Sequence, residues 1–414
     1  MTRPVPPSLP HAKFMIADLF AGPGGLDIAA TIMDGVESIG VEWDEATRAT
    51  RRAAGLLTTT VKDVAALGPC DDEVAEANVL TGGPPCQSFS VAGNRKGHKA
   101  LEQVKTLATQ LAGHDDLETF EAAWKEVKDK TDNMSDDRTG FVLQPLRWIM
   151  EAKLKRDNPY EVIVLEQVPT VLPVWKHYAK LLRRVGYAAD AHVLHSEDFG
   201  VPQTRRRAVL IAQWDPENVD RPVPFPEATH QRYRKGTTRL PEQNTTECET
   251  QGSLFAAPRK KKRPVKPWVA MQDVLTERPA DFEVVSNYGS GGDPKNRGRR
   301  TSDQPAATIT GKVRRNRVFL LKETKSGAKE IGEELERLTF EEAGLLQSFP
   351  RKYPWRSTDV AQQIGNAIPP LLSLHILSSA LRLGPPDDDL ITKLATWTPK
   401  HPDTPTDEVL AEDL

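Results

Sequence analysis

Cysteine is nearly absent from this chain. Three residues, Cys70, Cys86 and Cys248, are too few for a disulfide framework, and no Cys/His spacing suits a structural zinc site, so no bound metal is expected. Long apolar runs are missing as well. No stretch reaches about 18 apolar residues, and the polar, Pro-rich start MTRPVPPSLPH lacks the apolar core of a secretory signal. A membrane span is thereby excluded and a cytoplasmic location expected. With 38% hydrophobic and 27% charged residues and a mean hydropathy of -0.49, the composition is that of a soluble globular protein. At roughly 150 residues per domain, 414 residues make two or three domains.

The net charge of -3 conceals a division. Residues 229–317 hold 19 Lys and Arg against 9 Asp and Glu, a local +10 that leaves -13 for the rest. The basic stretch includes RKKKR (259–263), which also fits a nuclear-import pattern, although phosphate contact or a solvated linker accounts for it better.

Residues 13–214 alternate β-rich runs with helical patterns, the signature of a parallel sheet covered by helices, hence an α/β layer fold. The strands read are KFMIADLF to Phe20, VESIGVEW to Trp43, NVLTG to Gly82, EVIVLEQV to Val168 and RAVLIAQW to Trp214. Ligands of open α/β sheets sit beyond the carboxyl ends of strands, which makes these end residues the first candidates. A charged stretch at 97–138, with Leu101, Val104, Leu107 and Leu111 at helical spacing, reads as an inserted helical excursion without chemistry. Residues 1–214 thus form one domain and 215–337 a smaller second one. The segment 338–386, with a core helix opening at Pro369 or Pro370, returns to the first, and 387–414, with 8 acidic and 2 basic residues, is a solvated tail.

Four constellations carry chemistry. DLFAGPGGLD (18–27) runs from a strand through a glycine turn into a helix, where backbone can approach a ligand. Glu42, ending the next strand, can accept both hydroxyls of a ribose. The full G-x-G-x-x-G spacing is missing, so an adenosyl ligand without pyrophosphate fits better, while a tight strand-to-helix connection would need the same glycines. GGPPCQSFS (82–90) holds Cys86 on a stiff loop; cysteine is more often a small buried hydrophobe, but this loop sets a thiol at the rim of a cleft, where its thiolate could attack. In LEQV (165–168), Glu166 ends an apolar strand, where desolvation favours its protonated form, as a general acid requires; a salt-bridged or capping Glu is the plainer alternative. QTRRR (203–207) lets Arg205 and Arg207 point together and Arg206 away, or else forms a solvated basic edge.

Taken in this order, the four resemble the motifs of the DNA (cytosine-5) methyltransferase family: its cofactor turn, Pro-Cys nucleophile, Glu-Asn-Val and Gln-x-Arg-x-Arg. RRTSDQPAATIT (299–310) resembles the motif closing the family's target recognition region, and LTFEEAGLLQSFP with QQIGNAIPP its C-terminal signature, so the resemblance spans about residues 13–383. It implies a Rossmann-like sheet that binds S-adenosylmethionine, with a smaller target recognition domain. Phe20, Ala21, Gly22, Gly24, Gly25 and Leu26 would form the cofactor turn, Glu42 would hold the ribose, and Trp43, Asp63, Pro85 and Asn366 would complete the site. Trp43 could equally be a core aromatic and Asp63 a helix N-cap. Gln167 departs from the family, standing where Asn is usual, and the 97–138 insertion lengthens the region after the catalytic loop.

The chemistry implied is addition of the Cys86 thiolate to carbon 6 of a cytosine flipped out of duplex DNA. Glu166 would hydrogen-bond or protonate ring nitrogen 3, and Arg207, supported by Arg205, would face the ring carbonyl. Carbon 5 then attacks the methyl group of S-adenosylmethionine. The partners implied are double-stranded DNA and, where the enzyme works within a restriction–modification system rather than alone, a restriction endonuclease. QGSLF (251–255) resembles peptides that dock on bacterial replication sliding clamps. A monomer near the nucleoid is expected. Rival readings are a transfer-RNA cytosine methyltransferase, a catalytically silent DNA-binding protein on the same fold, and a nicotinamide-dependent oxidoreductase, which would need the missing pyrophosphate turn.

Overall fold

The computed structural model describes residues 13–85, 95–132, 139–156, 158–241, 265–286 and 298–399. Cys86, Cys248, the 251–255 peptide and the 259–263 basic run lie outside the described residues. In chain order the first part contains β1 (Phe14–Leu19), α1 (Gly25–Thr31), β2 (Val36–Val41), α2 (Glu45–Ala53), β3 (Val79–Gly82), α3 (Arg95–Leu111), α4 (Leu117–Asp132), α5 (Thr139–Lys155), β4 (Val162–Gln167), α6 (Leu172–Arg184), β5 (Tyr187–His195) and β6 (Arg206–Trp214).

These strands form one six-stranded sheet in the order β2-β1-β3-β4-β6-β5. Strands β1 to β4 pair in parallel, and their near-continuous apolar runs fit a sheet buried on both faces. Alternate residues divide between two cores: Ala17, Leu19, Leu80, Ile163 and Leu165 face α3 to α6, whereas Phe14, Ile16, Val79, Val162 and Val164 face α1.

The all-parallel expectation is corrected at one edge. Strand β6 pairs antiparallel with both β4 and β5. Strand β5, YAADAHVLH, was not read from sequence, because its alanines carry little β preference. The reversal of β6 has a consequence for the site: its amino end, not Trp214, lies at the carboxyl edge of β4, in the register Gln167 to Ala208.

The second part contains α7 (Met271–Val274), β7 (Phe282–Val285), β8 (Arg299–Thr301), β9 (Arg317–Glu323), β10 (Lys329–Leu335), α8 (Phe340–Leu346), α9 (Val360–Asn366), α10 (Pro370–Ala380) and α11 (Asp388–Ala395). A four-stranded antiparallel sheet, β10-β9-β7-β8, organises this smaller domain. Its core joins Phe282, Ile309 and Val318 to Leu338, Ala343, Leu346, Val360 and Ile364. The segment 338–386 is therefore divided, and α8 and α9 cover the small domain. Phe349 and Tyr353, before α9, and α10 after it pack on the side of the large sheet that carries α1. Helix α10 opens at Pro370, as read from its two prolines.

Two further readings change. As far as Asp132 the 97–138 stretch forms α3 and α4, and Leu101, Val104, Leu107 and Leu111 are buried in the main core, so α3 is part of the domain rather than an excursion from it. Residues 387–399 are not a solvated tail. Asp387 caps α11 by accepting from Leu390 N–H at 2.9 Å, Leu394 and Trp397 are buried, and Trp397 Nε1 donates to Thr31 Oγ1 at 3.0 Å. Apolar residues at helical spacing overcame the acidic composition. Among the described residues, no helix is long and apolar enough to cross a membrane.

Candidate active site

The glycine turn begins at the end of β1, where Phe20 has φ +60° and Gly22 and Gly24 have φ of +57° and +101°. Such values favour glycine, which is why this connection needs its glycines. A Cβ on Gly22 would meet nothing within 4 Å, so the turn opens onto free space, whereas one on Gly25 would fall 2.1 Å from the Ile368 carbonyl oxygen. Backbone approach from the C-terminal segment therefore demands glycine at 25.

Glu42 follows β2 and faces this turn. Its Oε2 accepts from Gly22 N–H and its Oε1 from Asp44 N–H, both at 2.8 Å. Burial raises its pKa; those two N–H groups and the Arg51 charge oppose the rise. Trp43, next in sequence, is 69% exposed, so it is no core aromatic and leaves a large apolar ring beside Glu42. The Phe20 ring, partly buried, meets Phe141 edge-on with centroids 5.9 Å apart. An open glycine cradle, an acidic acceptor for a diol and unburied aromatic surface suit an adenosyl ligand.

The remaining cofactor candidates divide. Ala21 is buried and its N–H donates to the Val41 carbonyl at 3.1 Å, while the Leu26 side chain is turned into the core, so either would meet a ligand through backbone. Asp63 accepts from Ala65 N–H at 2.8 Å, capping a turn rather than a helix. Pro85 is exposed, and so is Asn366, whose Oδ1 accepts from Gln362 Nε2 at 2.7 Å.

On the neighbouring strand ends, Glu166 forms an ion pair with Arg207 Nε, their side chains 16% and 11% exposed. The antiparallel run of β6 makes this contact possible. Burial raises the Glu166 carboxyl above the usual carboxylate range, and Arg207 pulls it back. A Cβ on Gly83 would lie 3.4 Å from Glu166 Oε2, so the Gly-Pro-Pro segment starts against this carboxylate. Gln167 is buried; its Nε2 donates to the Pro84 carbonyl and its Oε1 accepts from Val168 N–H. The residue that departs from the Glu-Asn-Val pattern thus holds the backbone two residues before Cys86.

Arg205 does not join this pair. It is buried, with Nη1 donating to Ile309 O and Nη2 to Gly365 O and Ala367 O, each at 2.9 Å. Gln203 works alongside: its Nε2 donates to Leu346 O at 2.8 Å and its Oε1 accepts from Ile309 N–H at 2.9 Å. Alternate residues of QTRRR do share a direction, but Gln203 and Arg205 join the two domains while Arg207 reaches Glu166. Asp18, Asp27 and Arg51 were not singled out from sequence. The first accepts from Thr81 Oγ1 at 2.6 Å, and the other two form a fully buried ion pair at 2.7 Å. The available signal was an arginine on the buried stripe of α2 formed by Thr47 and Thr50.

A mixed α/β sheet with a glycine turn answering an acidic strand end defines the class of Rossmann-like folds that take a ribose-bearing ligand. A family model described as C-5 cytosine-specific DNA methylase matches residues 14–112 and 130–382, and the chain belongs to that family. The unmatched residues between the two segments, 113–129, fall largely on α4. Type II methyltransferase M1.HphI of Haemophilus parahaemolyticus is 26% identical over 313 residues, 74% of this chain and 69% of that protein. Type II methyltransferase M.AplI of Arthrospira platensis is 24% identical over 396 residues, covering 89% and 86%. The crystal structure of S. pombe Dnmt2 methyltransferase shares the fold, with a TM-score of 0.51, 17% identity and coverage of 90% and 99%. The protein is a DNA cytosine-5 methyltransferase of the restriction–modification type, and the family and fold imply S-adenosylmethionine.

Proposed function

We propose that a cytosine flipped from duplex DNA enters the cleft at the carboxyl edge of the large sheet, where Cys86, Glu166 and Arg207 act on it. The Glu166–Arg207 ion pair, at the start of the segment leading to Cys86, supports this reading most. The Cys86 thiolate adds to carbon 6, and electrons move into the ring toward nitrogen 3 and the carbonyl oxygen. Glu166, its protonated form favoured by burial, donates at nitrogen 3. Arg207 stabilises the charge that gathers at the carbonyl. Loss of the carbon 5 proton after methylation expels Cys86 and restores aromaticity. S-adenosylmethionine, when bound, supplies the methyl group; Phe20, Gly22, Gly24, Gly25, Glu42 and Trp43 would hold it, with Asp63, Pro85 and Asn366 at its edges. Arg205 serves this centre by holding the two domains together rather than by facing the ring.

Fluorine cannot leave carbon 5 as a cation. Duplex DNA carrying 5-fluorocytosine at the methylated position should therefore form a protein–DNA adduct stable on denaturing gels, and Cys86→Ala should not. An active enzyme without that adduct refutes the thiolate route.

Phosphate contact falls to the basic small domain, where Lys235, Lys312 and Arg315 are exposed, and affinity should drop steeply with salt. The enzyme works in the cytoplasm near the nucleoid, as a monomer, with a cognate restriction endonuclease as functional partner. The QGSLF peptide docks it on a replication sliding clamp; capture by clamp should vanish in the Leu254→Ala/Phe255→Ala variant, and unchanged capture removes the idea.

A further inference from the structure

Arg51 is completely buried, yet it lies on α2, one element away from the glycine turn. All five of its N–H donors are used. Nε donates to Thr58 Oγ1 at 2.9 Å, Nη1 to Asp27 Oδ2 at 2.7 Å and to Gly22 O at 3.3 Å, and Nη2 to Asp27 Oδ1 at 3.2 Å and Leu57 O at 2.8 Å. Asp27 is secured in turn by Ser38 Oγ, which donates to its Oδ1 at 2.8 Å. The guanidinium needs room that only glycine leaves, since a Cβ on Gly40 would fall 2.0 Å from Nη2.

One side chain thus ties together the glycine turn, the first turn of α1 and the loop at 57–58. The Gly22 peptide is held on both sides: its carbonyl accepts from Arg51 and its N–H donates to Glu42. A buried ion pair is a costly way to stabilise a fold, because apolar residues of similar volume commonly do as well. Its presence directly behind the ribose acceptor points to a role in shaping that acceptor.

We propose that Arg51, with Asp27, is a positioning residue for the cofactor site, setting the Gly22 turn and Glu42 in the arrangement that accepts the two hydroxyls of a ribose. The proposal rests on the reading of Gly22 and Glu42 as the adenosyl-binding edge. The Arg51 charge also opposes the rise that burial imposes on the Glu42 pKa, after the Asp44 and Gly22 N–H groups.

The test uses the full chain and titration calorimetry with S-adenosylhomocysteine, beside thermal melting. Arg51→Met/Asp27→Leu removes both charges together, so none is left buried and unpaired. Its cofactor analogue should bind about 10–100-fold more weakly with duplex DNA affinity unchanged. Binding should also fall more steeply than in the parent as pH is lowered from 7.5 to 6. A lowered melting temperature with unchanged affinity and the parental pH profile makes the pair purely structural and overturns the proposal. Should the double variant fail to fold, Arg51→Lys, which keeps the charge but loses the fork, should weaken binding about 5-fold or more; unchanged binding overturns the proposal equally. Glu42→Gln separates the two layers of argument. If it binds as the parent does, the reading of the adenosyl edge is wrong; if it binds weakly while the Arg51 variants bind normally, only the role of Arg51 is wrong.

Discussion

Replacing Arg205 with Met separates a junction clamp from a group acting on the base. The guanidinium gives three hydrogen bonds to the carbonyls of Ile309, Gly365 and Ala367, one in the loop after β8 and two around the end of α9. Its Nε is buried without a partner among the described residues. Met fills a similar volume but leaves the Ile309 and Gly365 carbonyls unpaired, at about 1–3 kcal/mol each, while Ala367 O keeps the Gln347 Nε2 donor at 3.1 Å. Release of a desolvated cation offsets part of that loss, since burial holds the Arg205 pKa well below its ordinary value. A net destabilisation of about 2–4 kcal/mol remains, which lowers the melting midpoint by on the order of 2–5 °C for a chain of 414 residues. Below the midpoint, a loosened junction should raise the KM for DNA more than it lowers kcat. Arg207→Met should do the reverse, cutting kcat about 100- to 1000-fold, as expected when one group facing a developing charge is lost. Melting scans and steady-state methylation of a duplex with a single target site measure both. An Arg205→Met enzyme with parental melting and KM but a collapsed kcat would refute the assignment and place Arg205 on the reacting base.

Two other predictions follow from particular contacts. Gln167→Leu removes the donor that holds the Pro84 carbonyl, so kcat should fall about 10-fold through misplacement of the loop, with S-adenosylhomocysteine binding unchanged in calorimetry. His230 and His375 both have pKa values lowered to about 4, chiefly by burial, the first also by Lys266 and the second by His230. Both stay neutral when folded but take up protons near pH 6.5 when unfolded, so their stabilising contribution is complete above pH 6.5 and is lost as pH falls toward 4. Urea unfolding should show a loss of about 1–3 kcal/mol over that window, and His375→Leu should flatten the slope; an equally steep slope in the variant would assign it to other groups.

Much of the centre was legible before any coordinates. The glycine turn could be read because positive φ and close backbone approach constrain the residue type at Gly22, Gly24 and Gly25. Glu42 and Glu166 stood out as carboxylates at the ends of apolar strands. What escaped notice was what those groups touch. Arg51 was not read from the sequence at all, and Arg205 was read as a support for Arg207 at the ring carbonyl. Gln167 looked like a weakened Asn until its longer side chain was found to reach the Pro84 carbonyl. Helix α11 was obscured by its own charge, since eight acidic residues from 387 onward outweighed the apolar residues that pack it.

The amino-acid sequence by itself determined the order of strands, turns and helices, because burial periodicity and dihedral limits act over a few residues. It also determined which carboxylates stand at strand ends. Tertiary structure alone decided that β6 runs antiparallel and so delivers Arg207 to Glu166, and that Arg205 spans the two domains. It likewise decided that Arg51 grips the turn from behind and that α8 and α9 belong to the small domain. Those outcomes depend on strand direction and on which surfaces meet over sequence separations that run from 24 residues for Arg51 and Asp27 to 160 for Arg205 and Gly365, and no local pattern encodes them.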